Sequence, residues 1–321
     1  MRNNSLDILK FICAFLVILL HTPQPNGFEL FIEPLQRCAV PIFFMISGYF
    51  TFGRESLNKV LLKRLVQIIK IICWSTFIYI VCSIIHSKDF KIIHAIILNF
   101  RNLFLYNCTV ASFHLWYIHA YLYVTLLILI VNRYNLYKPL LYATPILIIA
   151  GLYLGKYHGL ITEINMPIQC SRIFLFTGLP YFALGFFIRK NETYINLHIS
   201  KKTAIAGLIL FLFLGYIEIF AFDLYDNTGD LYITTIFISA TLFILFLKTN
   251  YRKNNFISKI GREDCLYIYI LHVIVLNEIS SFITKAGYDH LFQHTSMLLV
   301  LISTILLIKI LRKLHIIGRF I

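Results

Sequence analysis

The chain is 321 residues long, 59% hydrophobic and only 14% charged, with a mean hydropathy of +0.77. Those values fall outside the range of soluble domains and exclude a water-soluble globular enzyme. A net charge of +14 would suit nucleic acid, but the cations sort by membrane side, so orientation in a bilayer accounts for them and no nucleic-acid partner is expected.

Apolar stretches able to cross a hydrocarbon core about 30 Å thick fall at 6–22, 35–53, 66–85, 114–131, 139–156, 171–188, 203–222, 230–247, 264–282 and 296–311. They predict an all-α fold, a polytopic membrane helix bundle with about ten transmembrane helices. With a cytoplasmic N-terminus, every Lys and Arg lies on the inner side except Arg37, Lys88, Lys91, Arg101, Lys156, Arg172 and Lys285. That asymmetry predicts both termini inside. No Gly, Pro or Ser-rich linker and no fixed-period repeat divides the sequence, so residues 1–321 are expected to form a single integral-membrane domain. The chain ends soon after its last apolar stretch, and no appended soluble domain is expected.

The first segment, Leu6 to Leu20, ends in His21 and carries Lys10 eleven residues earlier. Eleven residues make three helical turns, so the two side chains share one face, roughly 16 Å apart along the axis. Ionisable groups in such a position are costly and face a cavity or a partner. A signal peptide is the competing reading of this segment; the absence of a small-residue cleavage site and the interruption by Lys10 argue against it. An interfacial histidine satisfied by a carbonyl or water is the bland reading of His21.

In the second stretch, Ser47 and Gly48 sit inside an aromatic run, which suits close helix approach. Lys59, Lys63, Arg64 and Lys70 are expected on the following cytoplasmic loop. Between 86 and 113, Ile93, Ile96, Ile97, Phe100 and Leu103 recur at helical spacing beside His94 and Arg101, the pattern of an interfacial amphipathic helix or of a helix packed on the domain. His114 and Trp116 open the next span; a solvated histidine and an aromatic-belt tryptophan are the simple alternatives there. Asp223, Asp226 and Asp230 share one outer loop and read as solvated charge. His272, near mid-membrane, reads as a helix-bridging polar residue. Seven cysteines show no Cys-x-x-Cys or Cys/His ligand spacing, and neither a disulfide framework nor a metal site is expected.

Taken in order, several of these patterns resemble the membrane-bound acyltransferase 3 family, whose members acylate cell-surface sugars. The segment Leu6-Asp7-Ile8-Leu9-Lys10 running to His21 keeps the family's spacing of a basic residue, ten intervening residues and a histidine, with Lys10 where the family usually has arginine. Arg37 followed by Val40-Pro41-Ile42-Phe43-Phe44-Met45-Ile46-Ser47-Gly48-Tyr49-Phe50 looks like the second span. The basic run, the His114-Leu115-Trp116-Tyr117 opening, the stretch from Arg172 to Gly185 and Ile268-Tyr269-Ile270-Leu271-His272 follow in the expected order.

The resemblance implies an O-acetyltransferase of the bacterial inner membrane that takes acetyl-CoA, or another short acyl-CoA, as donor substrate and a surface carbohydrate or lipid-linked sugar, such as an O-antigen or capsule repeat, as acceptor, with no bound cofactor. His21 is then the expected catalytic base, since neutral imidazole can take a hydroxyl proton near physiological pH; an acyl-histidine relay is the alternative. Lys10, Lys63 and Arg64 are expected to bind donor phosphates, and Arg37, His114, Trp116 and Arg172 to act on the acceptor side or as orienting groups. A polysaccharide or lipid-linked sugar exporter without chemistry is the competing function.

Overall fold

The computed structural model describes residues 3–25, 27–53, 56–87, 94, 96, 99–107, 112–225, 227–249, 251 and 255–318. Among them there is no strand. The principal helices are α1 (Asn4–His21), α2 (Phe28–Gln36), α3 (Ala39–Tyr49), α4 (Leu57–Ser87), α5 (Trp116–Arg133), α6 (Tyr137–Tyr153), α7 (Gly178–Lys190), α8 (Lys201–Ala221), α9 (Ile233–Thr249), α10 (Phe256–Glu263), α11 (Cys265–Ala286) and α12 (Asp289–Lys313). Short helical turns occur at Phe100–Tyr106, Phe113–Leu115, His158–Thr162, Ile168–Ser171 and Glu192–His198.

Among the described residues, seven stretches are long and apolar enough to cross a membrane: Asn4–His21, Phe28–Tyr49, Leu57–His86, Phe113–Arg133, Lys201–Ala221, Cys265–Ala286 and Asp289–Lys313. The other three expected spans correspond to α6, α7 and α9, of 17, 13 and 17 residues. At 1.5 Å per residue these reach about 26, 20 and 26 Å, short of a hydrocarbon core. Two boundaries differ from expectation for local reasons. Nothing between Ser56 and Ser87 breaks a helix, so Lys59, Lys63, Arg64 and Lys70 lie on α4 itself and not on a loop. Around Arg172 the chain is irregular, and α7 begins only at Gly178. Of the amphipathic stretch expected between 86 and 113, Phe100–Tyr106 is helical, while Ile93 and Ile97 lie outside the described residues.

The chain divides into two compact units: residues 1–43, 196–217 and 234–321, and residues 44–195 and 218–233. In the first unit α1 is the interior helix, with 61% of its residues buried. Asn3 caps it, its side-chain oxygen accepting from the amides of Ser5 (3.0 Å) and Leu6 (3.4 Å), and Asp7 in the first turn suits the positive end of the helix dipole. It packs on α2, α10, α11 and α12. α10, started by a reciprocal capping box between Asn255 and Ser258, crosses α1 at Gly261. A Cβ there would stand 1.8 Å from the Asp7 carbonyl oxygen, so only glycine allows this crossing. Gly287 (φ 76°) ends α11 and turns the chain into α12. The far end of α12 is tied back by Arg312, whose Nη2 donates to the Glu263 carbonyl at 2.7 Å and whose Nη1 pairs with Asp264 at 2.5 Å. Ile302, Leu306 and Ile310 of α12 and Ile209, Leu210 and Phe213 of α8 are exposed, as faces turned to lipid require.

In the second unit α4 packs on α5, and α7 on α5 and α6. The C-terminal half of α3 meets α7 backbone to backbone. A Cβ on Gly48 would lie 1.9 Å from the Phe182 oxygen, and one on Gly185 would lie 1.9 Å from the Met45 oxygen. The close approach expected from Ser47-Gly48 is thereby found, with its partner glycine on α7. The segment after α8 is fastened by a buried cation: Lys156, 1% exposed, donates from Nζ to the Leu224 and Tyr225 carbonyls at 2.9 Å each. Phe77 and Ile85 of α4 are exposed and apolar, again a lipid face.

Candidate active site

His21 is the last residue of α1, because Thr22 is extended (φ −89°, ψ 145°) ahead of Pro23. It is exposed, but it is not isolated. Its ring stands 5.3 Å, centroid to centroid, from that of His272 on α11, which is fully buried and holds Nδ1 3.0 Å from the Ile268 carbonyl oxygen. The sequence singled out both histidines but gave no reason to join them, since 251 residues separate them. Near the other end of α1, Lys10 Nζ donates to Asp7 Oδ1 at 3.0 Å, the two side chains being 24% and 5% exposed. Gly261 of α10 lies against Asp7 and Phe11 of α1, and α11 begins four residues later at Cys265. Helices α1 and α11 therefore run side by side in the same sense, with the start of α1 beside the start of α11 and His21 against His272.

Arg37 belongs to the same unit. It follows α2 and pairs through Nε with Glu33 Oε1 at 2.9 Å, and Glu33 is itself buried at 4% exposure. A carboxylate at that depth needs its cation, which gives Arg37 a definite structural partner. Glu33 was not singled out from sequence; its place one turn before Arg37 was the available signal.

The remaining candidates fall in the second unit. On α4, Lys63 is exposed, while neighbouring Arg64 donates from Nη1 to Thr51 Oγ1 at 2.7 Å. That hydroxyl in turn donates to the Ser47 carbonyl at 2.7 Å.

His114, Trp116 and Arg172 are brought together. His114 is buried, with Nε2 3.2 Å from the Tyr79 hydroxyl and Nδ1 2.6 Å from Ser112 Oγ, so it is not a solvated helix-end histidine. The Arg172 guanidinium lies 4.7 Å from the Phe113 ring centre and 5.3 Å from that of Trp116, a cation over aromatic faces. Its fork grips Asp230 with two hydrogen bonds, one of them Nη2 to Oδ1 at 2.8 Å. Asn107 holds the backbone in place, donating to the Arg172 carbonyl at 3.0 Å and accepting from the Phe174 amide at 2.8 Å. Asp230 is thus a partly buried ion-pair partner and not a solvated charge; Asp226 lies outside the described residues, and Asp223 is exposed. The scarcity of outer cations was the usable signal, because a buried arginine needs an anion.

Fold and site together define a multi-pass membrane protein whose ionisable side chains sit at helix ends and within the spans, the usual sign of function there. The chain belongs to the acyltransferase 3 family: the family model described as an acyltransferase domain matches residues 3–312. Among curated proteins it is 24% identical over 304 residues to an amino-acid racemase of Enterococcus faecalis, covering 88% of this chain and 42% of that protein. It is 25% identical over 309 residues to a serine/alanine racemase of Enterococcus gallinarum, covering 85% and 40%. The chain therefore spans less than half the length of these relatives. No solved structure matches.

Proposed function

We propose that this membrane acyltransferase is an O-acetyltransferase of the bacterial plasma membrane, moving an acetyl group from cytoplasmic acetyl-CoA to a hydroxyl of a surface sugar or lipid-linked polysaccharide precursor such as O-antigen or capsule. One observation carries the reading. The family's histidine ends a largely buried helix, is itself exposed and is backed by a second histidine, while the paired basic residue lies three turns away on the same helix. The racemase name belongs to proteins more than twice as long as the matched region, and that region coincides with the acyltransferase model. Acyl transfer is accordingly the activity taken from the match.

In the proposed reaction a His21 ring nitrogen takes the proton of the acceptor hydroxyl as its oxygen attacks the thioester carbonyl carbon. The new carbon–oxygen bond forms, the carbon–sulfur bond breaks, and the proton passes to the departing coenzyme A sulfur. Atoms and charge balance without a bound cofactor. Lys10, Lys63 and Arg64 are assigned to donor phosphates. Arg37, His114, Trp116 and Arg172 are assigned to the acceptor side, with Trp116 and Asp230 orienting the Arg172 fork. With both termini inside, Lys10 lies toward the cytoplasm, where acyl-CoA is made, and His21 toward the outer face.

The test is mass spectrometry of surface polysaccharide from cells with the chain, without it, and with His21→Ala. An added mass of about 42 Da per sugar unit that requires the intact histidine supports a base at that position. Equal acylation in all three strains together with altered polysaccharide export would replace the reading by transport.

A further inference from the structure

Assigning the base to His21 leaves His272 to be explained. It lies in the run Ile268-Tyr269-Ile270-Leu271-His272, every member of which is buried. A histidine inside an apolar helix must still place two ring nitrogens. Nδ1 is 3.0 Å from the Ile268 carbonyl oxygen; a carbonyl only accepts, so Nδ1 carries the hydrogen. In that tautomer Nε2 is an acceptor. The ring is fully buried, with the Tyr269 ring centre 6.2 Å and the His21 ring centre 5.3 Å from its own.

An imidazole nitrogen lies about 1.1 Å from its ring centre, so two rings at the observed spacing bring nitrogens to about 3 Å when they meet edge to edge, a hydrogen-bond distance. The rings are tilted by 45°, and His21, at the exposed end of α1, is the member of the pair whose ring can turn to meet the other edge to edge. Catalytic hydrogen bonds are often slack before substrate binds and close in the reacting complex.

We propose that His272 is the positioning residue of His21. By accepting a hydrogen from one His21 nitrogen at Nε2, it decides which nitrogen remains open to the acceptor hydroxyl. It also receives the second N–H of the imidazolium formed when the base takes its proton. A group that fixes the tautomer of a catalytic histidine and steadies its cation is a recurring device in acyl transfer, built there with a carboxylate. Here a buried histidine, pinned by its own backbone, does the same without placing an anion in the membrane. The inference rests on His21 being the base.

Two amide substitutions separate the two halves of the His272 ring. His272→Asn reproduces the Nδ1 donor to Ile268 but puts nothing at Nε2, whereas His272→Gln extends an oxygen to the Nε2 position. The full chain is assayed in membrane vesicles of its host with radiolabelled acetyl-CoA as donor and the membrane's own polysaccharide as acceptor, alongside thermal melting of each purified variant. The expected result is a fall in saturated rate on the order of 10- to 100-fold for His272→Asn, part of what a general base supplies. The apparent acetyl-CoA constant and melting temperature should stay unchanged, and His272→Gln should recover most of the rate. Wild-type rate in His272→Asn, equal losses in both variants, or losses that follow melting temperature would each overturn the proposal and return His272 to a structural bridge. His21→Ala separates the levels. Activity in that variant sinks the base itself, whereas an inactive His21→Ala beside a fully active His272→Asn sinks only the positioning role.

Discussion

Gly261 fixes where α1 lies, and replacing it tests the whole placement of the candidate site. An alanine Cβ would stand 1.8 Å from the Asp7 oxygen, 2.8 Å from the Asp7 carbonyl carbon and 3.1 Å from the Phe11 nitrogen. Carbon and oxygen in contact need at least about 3.2 Å, so the deficit is about 1.4 Å. None of the three atoms belongs to a side chain that could rotate away. Relief requires α10 to move off α1 as a body. Overpacking of this kind costs about 1–3 kcal/mol where side chains can adjust, and between two helical backbones the upper end applies, a drop in melting temperature of roughly 4–5 °C for a chain of this length. Asp7 holds Lys10, so the displacement falls first on the cation assigned to the donor; His21, fourteen residues beyond Asp7, is about 21 Å from it along the axis. Gly261→Ala should therefore lower the melting temperature of the detergent-purified protein and raise the apparent acyl-CoA constant more than it lowers the saturated rate. Gly318→Ala, with nothing within 4 Å of its Cβ, is the control and should match wild type. A Gly261→Ala protein that melts with the wild type would refute the crossing and the position of α1 derived from it.

Arg172→Lys keeps the charge but loses the fork on Asp230 and the planar contact with Phe113 and Trp116; it should cost about 1–3 kcal/mol. In a double-mutant cycle with Asp230→Asn the losses should be strongly non-additive, and additive melting shifts would deny the pair. Lys156→Met leaves the Leu224 and Tyr225 carbonyls without their buried donor, so hydrogen exchange around these residues should rise by about tenfold or more, with an unchanged rate counting against the fastening. For Lys10→Ala the expectation is an apparent acyl-CoA constant raised about 3- to 10-fold with the saturated rate little altered; an unchanged constant would remove Lys10 from donor binding.

What the sequence made legible follows from how each signal is written into a chain. Hydropathy reports burial along the chain, and the apolar stretches accordingly became helices; Ser47-Gly48 announced a close crossing because small residues inside an aromatic run have few other uses. The partner glycine could not be read, since Gly185 serves this role only by meeting Met45 in space. Gly261 escaped for a different reason: it sits in the polar segment Ile260-Gly261-Arg262-Glu263-Asp264, where a glycine suggests a loop and not the contact point of a short helix on α1. Charge counting placed Arg172 on the outer side but said nothing of its anion, and Asp230 looked solvated among loop residues until its two hydrogen bonds appeared. The span expected at 171–188 failed at its start for the same reason, because the backbone around Arg172 is held in an irregular course by Asn107 and Asp230. Local pattern gave the elements; pairings over tens to hundreds of residues gave the site.

The ends of α1 explain how an exposed histidine can still be a precise one. Just beyond His21, the Thr22 amide donates to the Ile18 carbonyl at 3.0 Å, its hydroxyl reaches the Leu19 carbonyl at 3.4 Å, and Ser296 of α12 donates to the Pro23 carbonyl at 2.8 Å. At the opposite end the Gly261 crossing and the Asn3 cap fix the first turns. The backbone of α1 is therefore held at both ends of the helix that carries His21. The His21 ring lies against that of His272. In the proposed reaction an acyl acceptor would meet His21 as a base whose position was set before the acceptor arrived, and positioning of this kind removes orientation cost from the chemical step. A substitution that loosened this hold without touching His21, such as Ser296→Ala, should then lower the saturated rate while leaving donor affinity intact, the reverse of the pattern expected from Gly261→Ala.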